Sequence, residues 1–270
     1  MKIGIIAGNR LLPLLLVQRI KQNNSQLQVV AICFKGETHP TINRYVDKTY
    51  WLSVGNLDRL KKILKVEELK QCIMAGQINP LHIFRRKNWD KELKNLVGRI
   101  EDFRPHTIFK TILANLEAEG VSFLDSTAYL GEDLAENRIM NGLELKTSLA
   151  KDIDFGLEVA SRFVELDVGQ TIIVKTGSVV GLESLEGTDR TIKRAHRLAG
   201  SGCVVLKFSK ANQDLRFDVP VVGISTLMLL KRIKAEALVL EKEKVIILEK
   251  PRFLSLAKKW KIPVLGRARK

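Results

Sequence analysis

The sequence predicts an α/β fold: a Rossmann-like parallel-sheet N-terminal domain followed by a second, distinct α/β domain. Three observations lead there. Short β-branched runs alternate with helical periods through the first half, the pattern of a parallel sheet covered by helices on both faces. At 270 residues the chain is long for one compact core. Its apolar fraction, 45%, is enough to fill two cores and too high for a disordered chain. Residues 1–130 are expected to form the first domain, 131–150 a linker, and 151–270 the second α/β domain.

The elements follow in order. Lys2–Ala7 (KIGIIA) is a β-branched strand closed by a Gly8-Asn9 turn, and an apolar helix runs from Pro13, a residue suited to a first helical turn, to Asn23. Gln28–Phe34 (QVVAICF) reads as a buried second strand and Thr49–Val54 as a third. Leu57, Leu60, Ile63 and Leu64 mark one helix face, and Gln71–Ala75 (QCIMA) is a fourth strand closed by Gly76. Helical patterns at Trp89–Phe103 and Thr107–Glu119 lead to a strand at Val121–Asp125. Residues 131–150 mix polar and apolar side chains without a clean period, hence the linker. Asp152–Val164 is an amphipathic helix; Gln170–Lys175 and Val179–Ser184 form a hairpin around Thr176 and Gly177; Thr188 caps a helix running to about Leu198. Cys203–Phe208 is a strand, and 225–233, 237–240, 245–248 and 252–260 return to a strand and helix mixture with some antiparallel pairing.

Lys plus Arg exceed Asp plus Glu by 45 to 30, a net charge of +15. Such a balance favours anionic partners: nucleic acid, an acidic membrane face or phosphorylated substrates. After Glu249 there are eight basic residues and no acid. The three cysteines, Cys33, Cys72 and Cys203, sit in apolar runs without C-x-x-C spacing, which predicts buried thiols in a reducing compartment rather than a zinc site. His39, His82, His106 and His196 have no metal-binding spacing and read as surface or capping residues. The N-terminus superficially resembles a signal peptide, but Asn9 and Arg10 interrupt its apolar core and no A-x-A site follows. Val219–Leu230, the longest mostly apolar stretch, falls short of the ~20 residues a bilayer span needs. The expected localisation is cytoplasmic.

Chemistry concentrates between Leu166 and Gly223. Apolar runs there end in clusters of small, acidic and amide residues at 183–189 and 207–218. Glu186, Gly187, Thr188 and Asp189 stand at a predicted helix N-terminus, where the dipole and free N–H groups attract phosphate; the plainer reading is an ordinary N-cap. In QDLRFD (213–218), read as extended, alternation puts Asp214, Arg216 and Asp218 on one side. Two carboxylates near an arginine suit Mg²⁺ and a pyrophosphate together, since Mg²⁺ takes one or two carboxylates plus phosphate oxygens; the plainer reading is a surface ladder of charges. Lys207 and Lys210 lie just upstream. In the first domain GIIAGNRLLP resembles a dinucleotide fingerprint, yet Arg10 and Pro13 stand where it requires glycine and no acid ends the strand at Phe34, which disfavours a nicotinamide enzyme. Gly8 and Asn9 can still present backbone N–H groups to a phosphate or ribose. MAGQIN (74–79), with Gly76, lies at another C-terminal strand end, where ligands gather in open parallel sheets.

IAGNRLLP (6–13), MAGQINP (74–80), LDVGQTIIVKTGSVVGLESLEGTD (166–189) and KFSKANQDLRFDVPVVG (207–223) resemble the LpxI-type UDP-2,3-diacylglucosamine pyrophosphatases of lipid A biosynthesis. The match spans nearly the whole chain, and its specificity lies in the LDVGQ, EGTD and QDLRFD blocks in this order. The resemblance implies hydrolysis of UDP-2,3-diacylglucosamine with a divalent cation, Mg²⁺ or Mn²⁺, to UMP and 2,3-diacylglucosamine 1-phosphate (lipid X). It implies Asp214 as the essential carboxylate, either metal ligand or orienter of the attacking water, with Asp218, Glu186 and Asp189 completing the metal shell. Gly187, Thr188, Lys207, Lys210, Gln213 and Arg216 would hold phosphate and sugar oxygens, and Gly8, Asn9 and Gly76 would line the nucleotide side. Arg10 departs from the family's usual glycine, Ala211 from its proline, and RPHT (104–107) from an acidic pair. The implied partners are a nucleotide-sugar lipid and the inner-membrane surface, touched peripherally by basic residues that include Lys258, Lys259, Lys261, Arg267, Arg269 and Lys270; a homodimer is compatible, and nucleic acid is not expected. The alternative is a non-catalytic protein that binds a nucleotide-lipid or nucleic acid. Two carboxylates beside a phosphate speak against it, because they repel phosphate unless a metal intervenes.

Overall fold

The computed structural model describes residues 1–79, 86–101 and 103–269; Pro80, His82 and Lys270 therefore lie outside the described residues. The chain divides into two compact units, Met1–Tyr129 with Leu215–Phe217, and Leu130–Asp214 with Asp218–Lys270.

Unit 1 runs β1 (Lys2–Ala7), α1 (Leu12–Asn23), β2 (Gln28–Phe34), β3 (Lys48–Leu52), α2 (Leu57–Val66), β4 (Gln71–Ala75), α3 (Lys91–Val97), α4 (Pro105–Glu117) and β5 (Ser122–Leu124). The five strands pair in parallel in the order β3-β2-β1-β4-β5. The order reverses between β1 and β4, so the crevice at their C-terminal ends is the place where such sheets take ligands. One sheet face is covered by α1 through Leu12, Leu16, Val17 and Ile20. On the other face α2, α3 and α4 share a core with Ile6, Val30, Ile32 and Phe34. Caps set the helix starts: Asn56 Oδ1 accepts from Arg59 N–H at 3.1 Å and Asp90 Oδ1 from Leu93 N–H at 2.8 Å. The helix expected over Trp89–Phe103 is shorter, because Gly98 closes it after Val97.

Unit 2 runs α5 (Thr147–Phe163), β6 (Thr171–Lys175), β7 (Ser178–Leu182), α6 (Thr188–Ala199), β8 (Val204–Lys207), β9 (Val221–Val222), α7 (Ile224–Arg232), β10 (Ala237–Glu241), β11 (Ile246–Ile247), α8 (Lys250–Lys259) and β12 (Val264–Arg267). Its main sheet is ordered β12-β10-β8-β6-β7. The first three strands are parallel, and β6 runs antiparallel to both neighbours. A core with α5 covers one face, and a core with α6, α7 and α8 the other. The hairpin turn places Thr176 at φ +49 and Gly177 at φ +69, both left-handed as a two-residue turn with matching twist demands. The Asp152 carboxylate of α5 accepts both turn N–H groups, at 2.8 and 2.6 Å, and so offsets the strain of a β-branched residue there.

Residues 131–150, expected as a linker, lie instead inside unit 2. Leu134 bridges Ile246 and Ile139 bridges Leu265, while Ala135 and Met140 enter the core. Asn141 donates to Ile262 O at 2.8 Å and accepts from Val264 N–H at 3.2 Å. A segment that satisfies its backbone through isolated bridges needs no hydrophobic period, which is why its sequence looks irregular.

Candidate active site

Three loops of unit 2 converge where β8 ends and β6 begins. Thr171 stands opposite Lys207 in the antiparallel register. Glu183 N–H donates to Thr171 O (2.9 Å) and Phe208 N–H to Gln170 O (2.8 Å). Loop 166–169 closes onto this point because position 169 lacks a side chain: a Cβ there would sit 2.2 Å from Glu183 O. The result is a compact polar centre. The Lys207 ammonium, at a residue only 8% exposed, donates to Thr188 Oγ1 at 2.8 Å. Thr188 Oγ1 lies 3.2 Å from Thr171 Oγ1 and 3.2 and 3.3 Å from the two Glu183 oxygens. Thr188 also opens α6, with Gly187 at φ +80 as the N-cap and no side chain capping the helix, so the helix end presents backbone donors to an anion. Lys210 Nζ is 3.4 Å from Asp167 Oδ1, and its N–H donates to Gln213 Oε1 at 2.8 Å. Of the expected phosphate-binding residues, the structure thus gathers Thr188 and Lys207 in one network, sets Gly187 beside them as the N-cap of α6, and ties Lys210 to Asp167 and Gln213.

The QDLRFD segment corrects one expectation. It is a turn rather than an extended run: Asp218 N–H donates to Asp214 O at 2.9 Å, and Leu215–Phe217 belong to unit 1 while Asp214 and Asp218 belong to unit 2. Three anchors hold the turn's tip. Ser126 N–H donates to Leu215 O (3.0 Å), Ser126 Oγ to Arg216 O (2.9 Å), and the Phe217 ring lies against His106 and Phe109 at 5.2 and 5.9 Å. His106, within the RPHT departure, thus lies against Phe217. Alternation does not align Asp214, Arg216 and Asp218. The turn instead makes Asp214 and Asp218 neighbours at its base, and the Arg216 guanidinium meets Glu117 at 2.5 Å.

Glu186 is also placed differently from its expected role as metal ligand. Ser184 and Arg194 donate to its carboxylate, Arg194 Nη2 at 2.6 Å, and Thr191 Oγ1 approaches at 3.2 Å. The Ser184 hydrogen bond, then the Arg194 guanidinium, hold its pKa down at about 2. The acid that meets Thr188 is Glu183, which directly follows β7; its position at a strand end was the available signal. Asp189 is exposed on the first turn of α6. Among the described residues no three His, Cys, Asp or Glu side chains gather in a metal-binding group. The four carboxylates therefore do not form a ready-made protein shell.

In unit 1 the two glycines at the β1/β4 switch meet each other. Gly8 N–H donates to Ala75 O and Asn9 N–H to Gln77 O, both at 2.7 Å. A Cβ at Gly8 would lie 2.6 Å from Gln77 O and one at Gly76, where φ is +83, 2.4 Å from Asn9 O. These glycines are needed for chain-to-chain approach, and the Gly8 and Asn9 amides expected to cradle phosphate are already used. Asn9 Nδ2 donates to Glu37 Oε2 at 2.7 Å, and Asn79 N–H donates to the same oxygen at 3.2 Å. An acid therefore does reach the end of β2, three residues beyond Phe34, through the turn closed by Glu37 and Thr38 N–H bonds to Phe34 O. It borders an open cavity of about 680 Å³ with Arg10, Lys35, His39, Asn43 and Trp51. Arg10 sits at φ +67, a conformation that explains the glycine usual there in the resembling family.

The basic C-terminus is only partly available to a membrane. Arg269 donates to Ser209 O at 2.7 Å and pairs with Glu241 at 3.0 Å.

Comparison with known proteins agrees with this two-part layout. The LpxI N-terminal domain model matches residues 2–132 and the LpxI C-terminal domain model residues 136–265. The UDP-2,3-diacylglucosamine pyrophosphatase LpxI of Caulobacter vibrioides is 24% identical over 278 aligned positions, covering 98% of this chain and 97% of that protein. A solved N-terminal ketoreductase from a macrolactin assembly line covers 99% of this chain and 54% of its own at 10% identity, with a TM-score of 0.24 that carries no structural argument. With one LpxI domain model on each half and the domain order preserved, the chain belongs to the LpxI family.

Proposed function

We propose that this protein hydrolyses the diphosphate of UDP-2,3-diacylglucosamine, giving UMP and 2,3-diacylglucosamine 1-phosphate in lipid A synthesis. The observation that carries the reading is the Lys207–Thr188–Glu183–Thr171 centre at the start of α6, inside the region matched by the LpxI C-terminal model. Water adds to one phosphorus, the bridging P–O bond breaks, and the leaving phosphate takes the electron pair. Such chemistry asks the protein to neutralise charge on the anhydride more than to form covalent bonds. Lys207, Lys210 and the first amides of α6 supply donors for phosphate oxygens, and Thr188, which accepts from Lys207, donates its own O–H to the ligand. Asp214 orients the attacking water and accepts its proton. Asp214 and Asp218 would hold a divalent cation together with the substrate's own phosphates, and the cation's contribution is charge neutralisation on the departing oxygen. The lipid half of the substrate places the protein at the cytoplasmic surface of the inner membrane, touching it peripherally; no helix among the described residues is long and apolar enough to cross.

Incubating the purified protein with radiolabelled UDP-2,3-diacylglucosamine, with and without EDTA and with added Mg²⁺ or Mn²⁺, tests the reading. UMP and the lipid 1-phosphate should appear only with the cation. Absence of both products under every cation overturns the activity, whereas turnover unaffected by EDTA overturns the cation alone.

A further inference from the structure

We propose that the solvent face of α6 is the surface by which this protein docks on an anionic lipid bilayer. Arg190, Lys193, Arg194 and Arg197 recur at i, i+3, i+4 and i+7 and form one exposed stripe, while Thr191, Ile192 and Ala195 are buried on the opposite face. Arg194 is paired with Glu186; Arg190, Lys193 and Arg197 have no partner among the described residues. At the start of the helix stand three acids: that Glu186, Glu183 against Thr188, and the exposed Asp189. Apolar side chains flank the stripe at both ends. Leu185, in the loop before the helix, is fully exposed, and Leu198, one turn after Arg194, is 74% exposed. A basic stripe bordered by protruding leucines matches a leaflet whose headgroups are negative and whose interior is apolar. Duplex nucleic acid would use the cations and leave the leucines in water.

The choice of a bilayer also rests on the proposed lipid substrate, and the geometry connects the two. The same helix begins at Thr188 in the candidate active site, so nine residues separate that centre from Arg197, ~14 Å along the axis. A helix lying on the headgroups would hold the centre at their level, where the diphosphate of a membrane-embedded lipid resides. The basic tail is the weaker candidate, since Arg269 is spent on Ser209 and Glu241.

Flotation of the full-length protein with vesicles of phosphatidylcholine, with or without phosphatidylglycerol, decides the matter. Wild type should float with the anionic vesicles, less so as salt rises, and should ignore the neutral ones at high salt. Replacing Arg190, Lys193 and Arg197 together by Gln should weaken binding about 100-fold, at ~1 kcal/mol for each cation near the surface. A second variant, Leu185→Ser with Leu198→Ser, should weaken it about tenfold, because apolar area leaves the interface. Gln-variant binding within about threefold of wild type overturns the proposal, as does wild type that binds duplex DNA in preference to anionic vesicles. Hydrolysis of detergent-dispersed UDP-2,3-diacylglucosamine is the separate arm. All three proteins should turn it over equally, which also verifies folding. If wild type itself is inactive there, the proposed activity fails while the vesicle result still judges the surface.

Discussion

Two acids three residues apart show how the fold assigns roles that composition leaves equal. Glu183 ends β7 and faces Thr188, whereas Glu186 is taken by Ser184 and Arg194. Glu183→Gln should therefore reduce turnover of UDP-2,3-diacylglucosamine by about tenfold or more by disturbing the Thr188–Lys207 contact, and Glu186→Gln should leave kcat nearly unchanged; equal effects would remove Glu183 from the centre. Asp214→Ala bears on the chemistry itself. The turn it joins is anchored through Ser126 and Phe217, so melting should be close to wild type while the chemical step falls by at least ~10². Substrate should still bind, because the remaining contacts persist and a carboxylate facing phosphate is gone. Near-normal single-turnover rates would transfer the role to another acid. The sequence made Thr188, Lys207 and Asp214 visible because polar residues there interrupt apolar strands. It could not show that Glu186 has a private arginine, nor that Arg216 is claimed by Glu117, since both pairings depend on which side chains the folded backbone brings together.

At the level of elements, the strands and helices of unit 1 were legible almost throughout, since a buried parallel strand and an amphipathic helix each carry a strong period. Unit 2 was harder to read where pairing is short. β12 follows Pro263 and spans only Val264–Arg267, β9 and β11 are two residues each, and α5 starts at Thr147 rather than Asp152. These elements owe their form to partners distant in sequence. Gly266 is the sharpest case. A Cβ there would lie 1.8 Å from Glu136 O, so this glycine exists to let 131–150 lie on β12. Gly266→Ala should cost at least ~2 kcal/mol in urea unfolding, as overpacking against backbone does. The β6–β7 turn offers a complementary test. Asp152→Ala removes the acceptor of both the Thr176 and Gly177 N–H groups and should cost about 2 kcal/mol. An Asp152→Ala protein as stable as wild type would mean that the left-handed turn stands without α5.

For the molecule as a whole, 45 cations outnumber 30 acids, and several of those acids are structural fasteners. In unit 1 Glu67 lies at the end of α2 and binds Lys48 and Tyr50 of β3 and Lys2 of β1. Those hydrogen bonds, Lys48 first, hold its pKa near 2 instead of 4.5. In unit 2 Glu136 is held at about 2 by Arg138 and then Lys250. Both are carboxylates whose folded pKa is depressed, so each binds protons more tightly when unfolded. Their stabilisation is complete above about pH 4.5 and disappears as pH falls toward 2. Thermal melts should accordingly hold a plateau at neutral pH and decline through that window. Because the two groups sit in different units, Glu67→Gln and Glu136→Gln should each flatten part of the decline. The thiols can report which unit has opened: Cys33 and Cys72 belong to unit 1 and Cys203 to unit 2, all buried. Burial pushes Cys33 and Cys72 up to about 12, so none should react with a disulfide reagent while folded. Across the acid window, Glu67→Gln should change the pH dependence of labelling at Cys33 and Cys72 and leave Cys203 as in wild type. A shift at all three sites together would mean that the two units unfold as one, and an unchanged profile would mean that Glu67 does not govern the acid stability of unit 1.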